Sequence, residues 1–217
     1  MVIEWVKREE NNTKLVIFFS GWSCEIAQFK DILCFDGSDT LFISDYREIT
    51  DFRYSEYSKY SDVKVVAWSF GVFIASLIKM PPNWLKIAIN GTLLPVNNLY
   101  GIPEKGFELT LKSIIKGGIT KFNTRISRGV EHYFKSTTKD NKSLFDELEN
   151  LYIESKRKES INKKWDVAVI CTTDLIFPAE NQRNFWQENG VKKIIEFNLP
   201  HYPFIPEFLT ELKIFLK

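Results

Sequence analysis

The segment Val65-Val66-Ala67-Trp68-Ser69-Phe70-Gly71 sets a serine between a β-branched run and a helical pattern. It fits Gly-x-Ser-x-Gly with Ala67 in the first glycine position. A strand that turns sharply into a helix lifts the serine hydroxyl above the C-terminal edge of a sheet, where ligands bind in such architectures. The start of the helix also favours negative charge developing beside it. The first position demands only a small side chain, because strand and helix nearly touch there, and alanine meets that demand. The same residues also suit a serine that merely caps a helix, with a packing glycine behind it.

A serine nucleophile needs a base, a group to orient the base, and amides for the oxyanion. The chain has two histidines, His132 and His201. His201 lies in Leu199-Pro200-His201-Tyr202-Pro203, between the last strand pattern and the last helical one, where the base is expected. His132 falls inside a helical pattern, which suits structural duty or substrate contact. Asp174 follows the run Val167–Ile170, and Pro178 then opens a helix. A carboxylate there can accept from an imidazole and fix its tautomer. Asp166 precedes that strand and so stands at the wrong end of the sheet. Asp45 is at the right edge and is the alternative acid, read more readily as a tie between loops. The oxyanion amides are expected at Phe70, directly after the serine, and at Trp22, where Gly21 lets the chain turn closely. Trp22 can serve as a core aromatic at the same time. Ser69, Asp174 and His201 run in the order serine, acid, histidine, and with Gly21-Trp22 each follows the end of a predicted strand.

Those strands are Leu15–Phe19, Leu41–Ile43, Val63–Ala67, Lys86–Ile89, Val167–Ile170 and Ile194–Phe197. Near-continuous apolar runs of this kind suit strands buried on both faces. Val2–Val6 alternates apolar and polar residues and meets Glu10-Asn11-Asn12, which reads as an edge strand and a hairpin into Leu15. Helical patterns cover Ser69–Lys79, Pro178–Glu188 and Pro206–Phe215. Alternation of strand and helix implies a mostly parallel sheet with helices on both faces. From about Pro95 to Lys164 no strand pattern occurs. Phe107–Lys116, Lys121–Phe134 and Ser143–Lys158 read as helices there, with a break at Gly117-Gly118. The reading is one α/β-hydrolase domain over residues 1–217, with a helical lid inserted at about 95–164.

Bulk properties agree with this. Hydrophobic residues make up 44% and charged residues 26% of 217, with a net charge of +1. No strong field argues for nucleic acid, and no apolar run reaches the length of a membrane span. Cys24, Cys34 and Cys171 match no zinc or redox spacing, so free thiols are expected. With no signal-peptide pattern, a cytoplasmic protein follows.

With these residues in place the chain resembles the BioG family, pimeloyl-[acyl-carrier protein] methyl ester esterases of biotin synthesis. The resemblance is carried by Phe18–Trp22, Ser44–Arg47, Val66–Val72, Thr173–Gln182 and His201–Phe204. It implies that Ser69 attacks the methyl ester of a pimeloyl chain borne on acyl carrier protein, that methanol leaves, and that no metal or organic cofactor takes part. The insertion adds a physical hint. Lys105, Lys112, Lys116, Lys121, Arg125, Arg128, Lys135, Lys139 and Lys142 face only Glu108, Glu131 and Asp140 over the same stretch. A basic lid suits an acidic carrier, mainly by steering encounter, although a solvated helical face has the same composition. Substrate or carrier contact is expected at Gly21, Lys121, Arg125 and Arg128, with either arginine able to meet the phosphate of the carrier's arm. Two other functions fit the same residues: a different small carboxylesterase or thioesterase, and a non-catalytic binding protein on the same fold.

Overall fold

β-branched and aromatic runs form a seven-stranded sheet in the computed structural model, which describes residues 1–157 and 159–216. In chain order the elements are β1 (Val2–Lys7), β2 (Lys14–Phe19), α1 (Ile26–Phe29), β3 (Asp39–Ser44), β4 (Asp62–Trp68), α2 (Phe70–Ser76) and β5 (Leu85–Ile89). The insertion follows as α3 (Glu104–Ile114), α4 (Ile119–Ile126) and α5 (Asn141–Arg157). The chain then returns to the sheet as β6 (Val167–Cys171), α6 (Ala179–Glu188), β7 (Lys193–Phe197) and α7 (Pro206–Phe215). Lys158, the last residue of the helix expected from Ser143, and Lys217 lie outside the described residues.

The spatial order is β1-β3-β2-β4-β5-β6-β7, and every neighbouring pair except β1–β3 is parallel. Side chains alternate across the sheet, so one strand feeds two cores. Leu15, Ile17 and Phe19 of β2 pack on one face with Val65 and Ala67 of β4, while Val16, Phe18, Val66 and Trp68 pack on the other. The first core is covered by α2, α6 and the insertion, whose Phe107, Ile114, Ile126, Leu144, Leu148 and Leu151 all belong to it. The second is covered by Phe29 of α1 and by Phe208 and Leu212 of α7. This is the α/β-hydrolase architecture expected from the sequence.

Two expectations change. β1 is an edge strand, but it forms no hairpin with β2. It pairs with β3 in antiparallel register, Val2 opposite Ser44 and Trp5 opposite Leu41. The cause lies at the start of β3. Buried Asp39 accepts from the Glu9 amide at 2.8 Å and from the Asn12 side chain at 2.8 Å, so the linker is drawn across to β3. β2 meanwhile takes parallel partners on both edges, which leaves β1 only the outer side of β3. The helix expected over Lys121–Phe134 stops at Ile126. Ser127 donates its hydroxyl to Asn123 O at 2.8 Å, and Gly129 adopts φ +85°, a left-handed turn no helix continues through.

Candidate active site

Ser69 sits between the last residue of β4 and the first of α2, with φ 58° and ψ −127°. A non-glycine residue there costs about 1–3 kcal/mol and persists only where its surroundings enforce it. They do so here. The Ser69 amide donates to Ile89 O at 2.9 Å, and Ser69 O accepts from Val72 at 3.1 Å. At Gly71 a Cβ would overlap the carbonyl oxygens of Phe19 and Ser20, so the helix lies directly against the end of β2. Ala67 is fully buried between Phe19 on β2 and Ala88 on β5.

His201, in the loop between β7 and α7, is buried and places Nε2 2.9 Å from Ser69 Oγ. Its Nδ1 lies 2.7 Å from Asp174 Oδ2. With Nδ1–H donating to the carboxylate, Nε2 is free to accept from the serine. Asp174 Oδ1 accepts from the amides of Ile176 and Phe177 at 2.7 and 2.9 Å, and Gln182 Nε2 is 3.4 Å from Oδ2. The Phe177 ring stacks on the imidazole at 5.9 Å between centroids, with the planes 5° apart. The three residues, drawn from positions 69, 174 and 201, thus form one hydrogen-bonded relay.

Asp166 is held by Lys192 and the Lys86 amide, away from this relay. Asp45 is gripped by Arg47 at 2.8 and 2.7 Å and faces Lys139 at 3.7 Å. Burial tends to raise its pKa, but the Arg47 bond and the Lys139 charge outweigh that and hold it below the ordinary range. His132 lies against Tyr133 with the ring planes tilted by 43°, on an exposed single turn of 3-10 helix. Cys24 and Cys171 are buried, and burial pushes both thiols up, Cys171 to about 12, which leaves neither as a thiolate nucleophile.

The relay opens into a cavity of about 190 Å³. Gly21, Trp22, Ser69, Phe70 and His201 line its floor, and Pro103, Phe107, Phe122, Ile126 and Leu148 of the insertion line much of the rest. Among the described residues, neither the Trp22 nor the Phe70 amide donates to a protein acceptor. The Trp22 side chain is anchored instead. Its indole donates to Leu144 O of α5 at 2.9 Å, and its ring meets Phe122 of α4 edge-on at 4.7 Å. Arg125 also lines the cavity and donates to Leu175 O at 2.5 Å. Lys121 and Arg128 are exposed and stand outside the lining. Of the insertion's cations, Lys135 pairs with Asp31, Lys139 with Glu147 and Lys142 with Asp146. Lys105, Lys112, Lys116, Lys121, Arg125 and Arg128, on and beside α3 and α4, form no ion pair among the described residues.

Sequence reasoning missed Asn90, Phe177 and Gln182 around the relay. Asn90-Gly91 was legible only as the end of a strand. The chemically useful signal was an asparagine where a left-handed residue is needed, since Asn90 has φ 46°.

Fold and relay together define an α/β-hydrolase. An esterase from Exiguobacterium antarcticum shares this fold, with a TM-score of 0.69 at 14% identity over 99% of this chain and 94% of that one. The chain belongs to the family described as pimeloyl-ACP methyl esterase BioG, which it matches over residues 3–210. The crystal structure of BioG from Haemophilus influenzae superposes with a TM-score of 0.81 at 26% identity, covering 94% of this chain and 95% of that one. A malonyl-[acyl-carrier protein] O-methyltransferase of Bacteroides fragilis is 31% identical over 194 residues, 86% of this chain. The matched segment spans 39% of that longer protein. No helix among the described residues is long and apolar enough to cross a membrane.

Proposed function

We propose that this chain is a serine carboxylesterase that hydrolyses the methyl ester of pimeloyl-[acyl-carrier protein], releasing methanol. The observation that carries this reading is the Ser69–His201–Asp174 relay at the floor of a mainly apolar cavity. Ser69 Oγ attacks the ester carbonyl carbon while His201 Nε2 takes its proton. The carbonyl oxygen, now negative, lies toward the Trp22 and Phe70 amides. Collapse breaks the bond to the methoxy oxygen, which leaves as methanol with the proton from His201. Water then gives a proton to His201, attacks the acyl-serine, and returns Ser69 with a free pimeloyl carboxylate. Asp174 keeps the imidazole in the required tautomer and supports its charged form.

Family membership supports the carrier-borne substrate, and so do the unpaired cations of α3 and α4 beside the cavity. Gly21 and Arg125, which line the cavity, are assigned to the acyl chain and the carrier's phosphate arm; Lys121 and Arg128 to the carrier's acidic surface. The insertion then acts as a lid over one α/β-hydrolase domain. The Bacteroides relative, named for methylating a malonyl-carrier acid, makes an ester of the type this site would open. Free cysteines suit the reducing cytoplasm, where such a carrier works.

The test compares three substrates: the carrier-borne pimeloyl methyl ester, a free short methyl ester, and an acyl-carrier thioester. Preference for the first by about tenfold or more in kcat/KM, abolished in Ser69→Ala, is expected. Equal turnover of free and carrier-borne esters would remove the carrier from the reading. Preference for the thioester would make the chain a thioesterase. Failure of a fluorophosphonate to label Ser69 in folded protein would remove catalysis altogether.

A further inference from the structure

His201 must hold its ring against both Ser69 and Asp174, yet it sits in a loop between β7 and α7. A side chain on a loop is only as well placed as its peptide. The peptide carbonyl of His201 accepts two hydrogen bonds, from the Trp68 indole at 2.9 Å and from Asn90 Nδ2 at 2.9 Å. Both lone pairs of that oxygen are therefore taken by donors on the central sheet. Trp68 precedes the serine, and Asn90 follows β5, the strand beside it.

Asn90 does more than donate. Its Oδ1 accepts from the Cys171 amide at 2.8 Å, and its own amide donates to Val169 O at 3.0 Å. Cys171 ends β6, and its carbonyl accepts the amide of Asp174 at 3.2 Å, closing the turn that carries the acid. The one buried carboxamide thus spans the acid's turn on its oxygen and the base's peptide on its nitrogen. Its left-handed backbone aims the side chain across the strand ends, a conformation asparagine accepts more readily than most residues. Asn90 lines no part of the cavity, so it does not meet substrate.

We infer that Asn90 is a positioning residue that sets the Asp174–His201 distance by cross-tying the two loops. The inference rests on the relay being catalytic. Only a group with a donor at one end and an acceptor at the other performs this task. A carboxylate in its place keeps the bond from Cys171 but turns an acceptor toward the His201 carbonyl. A hydrocarbon keeps neither.

The test uses the full chain with Asn90→Asp and Asn90→Ser, and Trp68→Phe as a probe of the second donor. Three quantities are read: the rate of fluorophosphonate labelling at Ser69, kcat and KM on a short methyl ester, and the low-field proton NMR signal of the His201 Nδ1–H. Because His132 is the sole other histidine, His132→Gln assigns that signal. In the Asn90 variants labelling and kcat are expected to fall about tenfold to a hundredfold, in line with the cost of sub-ångström misplacement. KM should stay within about twofold and the low-field signal should shift or vanish. A lesser fall is expected in Trp68→Phe, because Asn90 then still ties the His201 carbonyl to the Cys171 amide. Folded Asn90→Ser with unchanged labelling rate and an unmoved signal would overturn the inference, whatever its melting temperature. Where Asn90→Asp fails to fold, Asn90→Ser alone decides by the same readings. If the parent protein is not labelled at Ser69, the relay reading itself fails, and that outcome is separable because it involves no Asn90 variant.

Discussion

Gly71 stands two residues beyond the serine, and its missing side chain matters as much as the serine's hydroxyl. A Cβ there would press on two backbone carbonyls, Phe19 O and Ser20 O, and neither can swing aside as a flexible side chain would. Ser20 is the residue before Gly21-Trp22, so the strain would be delivered to the loop assigned to the oxyanion. Gly71→Ala should destabilise the fold by about 1–3 kcal/mol, the usual cost of overpacking, read as a lower urea midpoint at unchanged slope. It should also slow labelling of Ser69. A variant with parental stability and labelling would show that the helix can back away freely. At this scale the sequence disclosed the residues whose chemistry is local: the serine in its turn, the histidine before the last helix, the aspartate after its strand. It did not disclose Asn90 or Gln182. Asn90 finds its partners 81 and 111 residues away, and nothing in its own neighbourhood encodes them.

Among the elements, α5 shows how the insertion is tied to the sheet. Its Glu147 is fully buried and accepts from the Tyr46 amide at 3.2 Å and from Lys139 Nζ at 3.0 Å. Asn150 of the same helix donates to Tyr46 O at 2.7 Å, and the Tyr46 hydroxyl donates to Ser20 O at 2.8 Å. The helix therefore holds the loop after β3, and that loop holds the chain entering Gly21-Trp22. Glu147→Ala would leave the Tyr46 amide without its acceptor and take the nearer of the two carboxylates facing Lys139, with Asp45 remaining at 3.7 Å, at about 3 kcal/mol. Burial raises the pKa of Glu147 above the ordinary 4.5, although Lys139 and the Tyr46 amide pull the other way. A raised carboxyl contributes stability that is complete below its unfolded value and is lost as pH rises through its folded value. The stability of the parent relative to Glu147→Gln, which cannot ionise, should thus shrink as pH climbs from below 4.5 through the range above it. A difference that grew with pH would mean that Lys139 outweighs burial. The strands themselves were legible because continuous apolar runs have few alternatives. The partner of β1 was not, since it turns on Asp39 capturing Glu9 and Asn12. The end of α4 was legible in principle from Gly129, but the apolar pattern of Val130 and Phe134 runs on past it.

Over the whole molecule, a net charge of +1 conceals a division. Once Lys135, Lys139 and Lys142 are set aside with their acidic partners, the insertion's remaining cations from Lys105 to Arg128 are exposed, form no ion pair among the described residues, and lie on and around α3 and α4. These helices also line the cavity, so the positive face is carried by the same elements that wall the site. The remaining surface is net acidic, which orients the molecule's field toward an acidic partner approaching that face and away from elsewhere. Charges on an exposed face act over about 8 Å at physiological salt and less above it, so their effect lies in encounter more than in chemistry. For the carrier-borne ester, kcat/KM should fall by about tenfold between low and high salt, mostly through KM. For a free methyl ester, which carries no charge to steer, it should change by no more than about twofold. Reversing Lys121 and Arg128 together to glutamate should flatten the first dependence while leaving turnover of the free ester intact, since both stand outside the cavity lining. Parallel salt curves for the two substrates would mean that the cations of α3 and α4 only solvate their helices, and that the carrier, if it is recognised, is recognised on another face.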